Sequence, residues 1–468
     1  MTILTAPPAY LHLSQLSDVE QESLDEMLAT ITARSGRNTM RRRLYDARNR
    51  VRDLGISIPP QLKNVEVAIG WPGMVCDVLE ERLDWDSFTV GGSEEDLGVD
   101  EIVDQNQLDV EAGMAHIGSL IYGVSFLTVG SGADGEPNPL VTVESPMNAT
   151  LIWDPRLRRA TAGIAFANEN ETGSLYFPNE TLSVELDGSR WRVTGRDRHN
   201  LGRVLMARMP NRPDVGRVWG RSEITPAIVG HSESAVRTLL GAEVAREFYG
   251  SPQRYLLGAD ETAFEDGDGN MKTGWEAVMG VLLAIPDPDD DPERRPTIGD
   301  FKASSPTPYL DLIRGYAQLV AAEAGMPASY LGFATDNPSS ADAIRAGEAR
   351  LVKRAERRQR VFGAAWTEAM RLALMVRDST TDVPTPKPIW RDASTPTRAA
   401  AADEAVKLVT AGILPADSEV TLERLGLSET EKVRVLSDRR RADGSQVLEA
   451  LRRSGGAVND GDTDDTEA

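Results

Sequence analysis

Asp266-x-Asp268-x-Asn270 opens like the oxygen-ligand loop of an EF-hand calcium site. Such a loop needs glycine at its sixth position and a bidentate glutamate at its twelfth. Those positions hold Met271 and Ala277, so calcium binding is not expected. Asp287, Asp289, Asp290 and Asp291 offer the paired carboxylates with which a nuclease or hydrolase holds Mg²⁺. Under that reading, replacing Asp289 and Asp290 abolishes an activity. Pro286, Pro288 and Pro292, the lack of a nearby histidine, and the charges of Arg294 and Arg295 favour an extended solvent loop instead. His12, His116, His199 and His231 fall in different expected elements, and no zinc or catalytic assembly follows from them. Neither a P-loop lysine motif nor a GxSxG elbow is present, so the sequence offers no ATPase or hydrolase signature, and no cofactor or metal is expected. Gly130-Ser-Gly132-Ala-Asp-Gly135 spells GxGxxG, yet Pro137, Pro139 and the strand-like Leu140-Val-Thr-Val143 follow it. A dinucleotide site needs a helix N-terminus there, and a hairpin loop is expected.

Bulk properties narrow the classes further. A chain of 468 residues exceeds a single ordinary core, so several structural units are expected. No run of about twenty apolar residues is present to span a membrane. Met1 to Leu16 lacks the pattern of a secretory signal, and secretion is not expected. Cys76 is the sole cysteine, which excludes a disulfide framework within the chain and a cysteine-rich zinc site. A buried, inert thiol in a reducing cytoplasm is expected. The formal net charge of −22 is unlike that of a protein that clamps nucleic acid. It fits either plain solubility or a surface along which a polyanion slides without being gripped.

The elements that must position these groups change in character along the chain. Ser14 to Gly55 reads as helical, with Leu13, Leu16, Val19, Leu24, Met27, Leu28 and Ile31 as its apolar pattern. Arg41, Arg42, Arg43, Arg48, Arg50 and Arg52 then form a basic run beside Asp46. With Tyr45 as its lone aromatic, the run reads as a solvated face or an intersubunit salt-bridge strip rather than a nucleic-acid patch. Val65 to Leu83 and Glu101 to Leu120 also read as helices. Ile121 to Met209 reads as antiparallel strands, with a hairpin at Asp187-Gly188. Ser222 to Tyr249 returns to helix, Gly258 to Ser305 is irregular with a strand at Val278 to Ile285, and Ala399 to Leu408 and a segment from Ser428 read as helices. Thr307-Pro308 reads as an N-cap followed by proline at the first helical position. Gly325-Met-Pro327 reads as that helix's stop. Ser339 and Asp342 then read as the cap of a long helix with a stripe of Leu351, Ala355, Phe362, Trp366, Ala369 and Ala373. Lys353 and the arginines around it are expected to pair with acids of a neighbouring subunit.

The runs Gly325-Met-Pro-Ala-Ser-Tyr-Leu-Gly-Phe333, Asp336-Asn-Pro-Ser-Ser-Ala-Asp-Ala-Ile-Arg345 and Glu348-Ala-Arg-Leu-Val-Lys353 carry a family resemblance. With Gly220-Arg-Ser-Glu-Ile-Thr-Pro226, Glu243-Val-Ala-Arg-Glu-Phe-Tyr249 and Pro252-Gln-Arg-Tyr255, the chain resembles the portal, or head-to-tail connector, proteins of tailed double-stranded DNA phages. More narrowly, it is similar to portals of siphophages of actinobacteria. The resemblance implies an α+β portal fold whose wing mixes helices and antiparallel strands, with a two-helix stem, a small α/β clip and a helical crown. It places the wing at 1–218, stem helix one at 219–257, the clip at 258–306, stem helix two at 307–332, a tunnel loop at 333–340, the long wing helix and its connection at 341–394, the crown at 395–454 and a disordered acidic tail at 455–468. It implies a homo-oligomeric ring of about a dozen copies with a DNA channel, and no enzymatic activity of its own. Thr335, Asp336, Asn337, Pro338, Ser339 and Ser340 would line the bore, Lys302 would add a sparse cationic ring, and Asp287, Asp289, Asp290 and Asp291 would lie on the clip's docking surface. Implied partners are double-stranded DNA, the terminase large subunit, the head-tail adaptor, and the major capsid and scaffolding proteins, at the portal vertex of a virion assembled in the host cytoplasm. A capsid or scaffold component without a channel is the other structural alternative.

Overall fold

The computed structural model describes residue 8 and residues 11–48, 67–91, 97–188, 190–249, 254–259, 282–286, 297–300, 305–333, 341–394, 398–427, 431–442 and 444. Helices Asp18–Tyr45 (α1) and Trp71–Glu80 (α2) precede strand Trp85–Val90 (β1), then helices Val99–Gln105 (α3) and Leu108–Tyr122 (α4). Strands follow at Val124–Gly130 (β2), Leu140–Glu144 (β3), Ala149–Asp154 (β4), Arg159–Ala167 (β5), Thr172–Tyr176 (β6), Thr181–Asp187 (β7), Arg190–Asp197 (β8) and Met206–Pro210 (β9). Helix Pro226–Tyr249 (α5) leads to Arg254–Ala259 (β10), Leu282–Pro286 (β11) and Thr297–Asp300 (β12). Helices Thr307–Ala324 (α6) and Ala341–Asp378 (α7) and strand Pro386–Trp390 (β13) complete one compact unit ending at Ala393. The second unit, Ser394–Ala468, contains Arg398–Thr410 (α8), Glu419–Arg424 (α9) and a helical stretch at 431–442. Ser418 caps α9, and Arg424 pairs with Glu404 at 2.7 Å to join it to α8. The fold is a mixture of helices and largely antiparallel sheet, the α+β class expected.

Two cores organise the first unit. α1 starts at a capping box in which Ser17 and Glu20 satisfy each other's backbone N–H groups. Its Leu24, Met27, Leu28 and Ile31 pack on the antiparallel meander β4-β5-β6-β7-β8 through Ile164, Phe166, Leu175 and Leu182. Val19, expected on that stripe, is 73% exposed. Its place is taken by Leu11 and Leu13, which the Gln21 side chain folds back by bonding the Leu11 carbonyl and the Leu13 N–H. The second core centres on α7, whose expected stripe from Leu351 to Ala373 is buried against α2, α4 and the sheet β3-β2-β9. There the Trp366 indole donates to His116 Nε2 at 3.0 Å, and the imidazole stacks on Phe362. Burial pushes His116 down to about 3, so it stays neutral. Cys76 is likewise fully buried, its thiol pushed up by desolvation.

Several sequence expectations meet local physics they did not include. Glu101 to Leu120 is broken at Gln107, which has φ +50°. The cause is Asn106: its amide donates to the Ile102 and Pro139 carbonyls and accepts from the Val141 N–H, tying the helix break to β3. Thr307 is the first residue of α6 rather than its cap, and Ser305 Oγ accepts the Thr307 N–H at 3.3 Å. Helix α5 begins at Pro226, not Ser222, and residues 254–257, expected in the stem helix, are strand. The hairpins at Asp187-Gly188 and Gly130–Leu140 form as expected.

Candidate functional site

α5 and α6 pack against each other as a helix pair. Thr225 Oγ1 donates to Glu323 at 3.3 Å, while Gly241 faces Tyr309, so the start of one helix lies beside the end of the other and they run antiparallel. Val229, Leu239, Ile313, Ala317, Val320 and Ala321 supply the apolar seam. At the far end the chain forms a small sheet in which β10 pairs parallel with β11 and antiparallel with β12. A helix leaves the body, an insertion is built at its tip, and a second helix returns.

The return ends at Gly325, in the left-handed region at φ +67°, with the Met326 N–H bonded to the Ala321 carbonyl. A short 3₁₀ turn at Ala328–Leu331 follows, closed by Gly332 at φ +88°. Tyr330 Oη donates to Glu348 at 2.5 Å, Arg82 pairs with Glu348 at 3.4 Å, and Arg350 donates to the Ala322 carbonyl at 3.1 Å. The flank before residue 334 is thereby clamped to α7, which begins at Ala341. Thr335, Asp336, Asn337, Pro338, Ser339 and Ser340 lie outside the described residues, as do Lys302, Asp287, Asp289, Asp290 and Asp291. The same holds for the EF-hand-like stretch at Asp266 and for the cap expected at Ser339.

A centre that sequence reasoning missed sits at the entry to α5. Gly220 adopts φ +74°, and a Cβ there would lie 2.3 Å from the Asn211 carbonyl oxygen and 2.5 Å from that of Gly123, so only glycine fits. This close passage lets the Arg221 N–H bond the Asn211 carbonyl, Ser222 Oγ bond the Ile121 carbonyl and the Glu223 N–H bond the Leu120 carbonyl. Glu223 is fully buried. Its Oε1 accepts from Arg358 and from Asn211, its Oε2 from Arg354 and from Arg212. Burial pushes the Glu223 carboxyl up, but Arg358, Arg354 and Arg212 outweigh it and hold the group below its ordinary range. The knot thus joins α4, β9, the entry to α5 and the middle of α7. It also corrects the expectation for the α7 arginines: Arg354 and Arg358 pair within their own chain, and Lys353 pairs with Glu356 at 2.6 Å. Gly220, Ser222 and Glu223 were visible as a motif, but the partners on α7 lie 131 and 135 residues away.

A second electrostatic feature is acidic. Desolvation, then repulsion from Asp84, Asp77 and Glu81, pushes the Glu80 carboxyl up to about 7. Burial does the same to Glu144, also to about 7. A carboxyl raised in the folded state binds protons that the unfolded chain has released, so stability falls as pH rises from about 4.5 to about 7. Glu80→Gln is therefore expected to raise the melting temperature at pH 8 by roughly 1–3 °C and to flatten that decline, as checked by thermal scans from pH 5 to 8.

The described residues thus form an antiparallel helix pair bearing a strand-built insertion, joined to a mixed helix–sheet body by a buried ionic knot. Residues 24–443 match the family described as phage portal protein, SPP1 Gp6-like. The chain is 31% identical over 444 residues to the portal protein of Mycobacterium phage D29, covering 91% of this chain and 90% of that one. It is 30% identical over 468 residues to the portal protein of Mycobacterium phage L5, covering 95% and 93%. Among solved structures, a chain from the neck of an empty gene transfer agent particle is similar over 78% of this chain and 92% of its own, at 13% identity and a TM-score of 0.46. This chain belongs to the phage portal protein family. No helix among the described residues is long and apolar enough to cross a membrane.

Proposed function

We propose that this protein forms the ring at one vertex of a tailed-phage capsid, with an axial channel for DNA packaging and ejection and docking surfaces for other assembly proteins. The family match across residues 24–443 carries the reading. In it, residues up to 218 form the wing, α5 and α6 the stem, the insertion bearing β10, β11 and β12 the clip, α7 the long wing helix and the second unit the crown. Thr335 to Ser340 are the channel-facing loop. Short, mostly neutral side chains there exchange weak hydrogen bonds with phosphate or water without anchoring the duplex. Lys302 adds a sparse cationic ring, and the clip with Asp287 to Asp291 docks the terminase large subunit during packaging, then the head-tail adaptor. Scaffolding and major capsid proteins contact the assembled ring. The portal family is one of structural proteins, and no residue is assigned a catalytic role.

Electron microscopy of the purified chain, with native mass measured on the same sample, tests this reading. A closed ring of about a dozen copies with an axial hole wide enough for a duplex is expected. A compact dimer without a hole would overturn it in favour of the channel-free scaffold alternative.

A further inference from the structure

α1 is segregated by charge along its length. Its acids, Asp18, Glu20, Glu22, Asp25 and Glu26, all precede Thr32, and its bases, Arg34, Arg37, Arg41, Arg42 and Arg43, all follow it. The helix dipole favours acids at the start and bases at the end, but only within the terminal turns. Arg34 and Arg37 lie well before the last turn. Instead, Arg34, Arg37 and Arg41 line a cavity of about 470 Å³ whose opposite wall is Arg217, Trp219 and Arg221. Arg221 also lines a second cavity of about 430 Å³ with Arg212, Arg357 and Arg360.

These cations are short of counter-charge. The side chains of Arg37 and Arg217 have no hydrogen-bond or ion-pair partner among the described residues, and the Arg221 Nε is buried without one. Asp214 reaches Arg221 only at 3.5 Å. Desolvation, then repulsion from Arg37, brings Arg41 down to about 10 and lowers Arg34 as well. Glu22, Asp25 and Glu26 are exposed and have no cationic partner among the described residues, Asp25 accepting only from Gln21. One helix thus carries Glu22, Asp25 and Glu26 near its start and Arg37 further on, each without an ion-pair partner among the described residues.

A ring closes through a head-to-tail contact, in which two different patches of each copy must complement each other. Copies carrying −22 each repel unless opposite charges meet at the seam. We propose that the arginine-lined cavity between α1 and the Arg217–Arg221 loop is the receiving half of the contact between adjacent copies, and that it takes the carboxylates of Glu22, Asp25 and Glu26 from α1 of the neighbouring copy. This rests on the ring reading above. A nucleic-acid occupant is less suited: base stacking needs an open aromatic face, and the Trp219 ring is already covered by the guanidinium of Arg34 at 4.8 Å and that of Arg208 at 5.5 Å.

The test compares ring assembly by native mass across protein concentration, at about 0.1 M and about 1 M salt. Arg37→Glu with Arg217→Glu changes exposed side chains, so the melting temperature of the dissociated chain should hold, while the concentration needed for assembly at low salt rises about tenfold or more. Glu22→Arg with Glu26→Arg should weaken assembly similarly, and combining all four substitutions should restore it. Wild-type-like assembly by the arginine variant, or failure of the fourfold variant to recover, overturns the proposal while leaving the ring intact. Loss of binding to a fluorescent 30-base-pair duplex with assembly unchanged would reassign the cavity to nucleic acid. A wild-type chain that never forms rings would instead overturn the ring reading itself.

Discussion

Glu223→Ala is expected to destabilise the first unit by about 3–5 kcal/mol, the cost of breaking a buried ion pair by removing one partner. The loss exceeds that of an ordinary salt bridge because one carboxylate serves three guanidiniums. Arg358 is 5% exposed, and without Glu223 it and Arg354 are left close together with no ion-pair acid among the described residues. Asn211 loses one of its partners too, and with it part of the web that lets the chain pass beneath Gly123. For a unit of this size the melting temperature should fall by roughly 4–6 °C. Glu223→Gln keeps an acceptor but not the charge, and should lie between alanine and wild type. The sign with pH follows from the depressed carboxyl: its contribution is complete above the ordinary value of 4.5 and is lost as pH falls through the folded value. Glu223→Ala should therefore remove part of the acid sensitivity between pH 5 and 3. A melting temperature within about 2 °C of wild type across that range would show that the knot contributes little to stability.

Packaging in Asn337→Lys, Ser340→Lys rings should slow about tenfold or stall at 50 mM salt and recover as salt approaches 200 mM. Two lysines per copy, repeated around a ring, turn a polar wall into a set of phosphate clamps. A surface making 6–10 phosphate contacts loses roughly three to five orders of magnitude of affinity over that salt range, so even partial engagement makes the rate steeply salt-dependent. The control is Asn337→Gln with Ser340→Thr, which adds bulk without charge and should leave salt dependence as in wild type. Unchanged packaging rates for the lysine rings at every salt concentration would remove the loop's proposed role. A packaging defect with normal assembly would separate the proposed channel loop from the proposed seam between copies.

Much of the frame was legible in the sequence because it depends on neighbours along the chain. The stripe of α7, the stop at Gly325, the turn at Asp187-Gly188 and the rejection of the Gly130 loop as a dinucleotide site all follow from periodicity or backbone preference over a few residues. The buried state of Cys76 followed from its chemistry. Errors occurred where a distant group competed with local preference. Val19 has helical spacing for the core, yet it stays exposed while Leu11 and Leu13, folded back by Gln21, fill the core instead. Asn106 lies in a helix-like run, yet its amide finds β3 and the helix breaks. β1 pairs with β13 across almost the whole first unit, and neither strand carries a signal that names the other.

By itself, then, the sequence determined the class of the fold, the order of helical and strand-rich regions, the family and the excess of acid. It also contained the motif Gly220-Arg-Ser-Glu223, but not its purpose. Tertiary structure alone decided that Glu223 is the counter-ion of Arg354 and Arg358, and that Arg34, Arg37 and Arg41 of α1 converge with Arg217 and Arg221 on one cavity. The physical reason is range. Helix and turn preferences act over a few residues, whereas a buried charge is satisfied by whatever the folded chain brings within about 3 Å, at any separation in sequence.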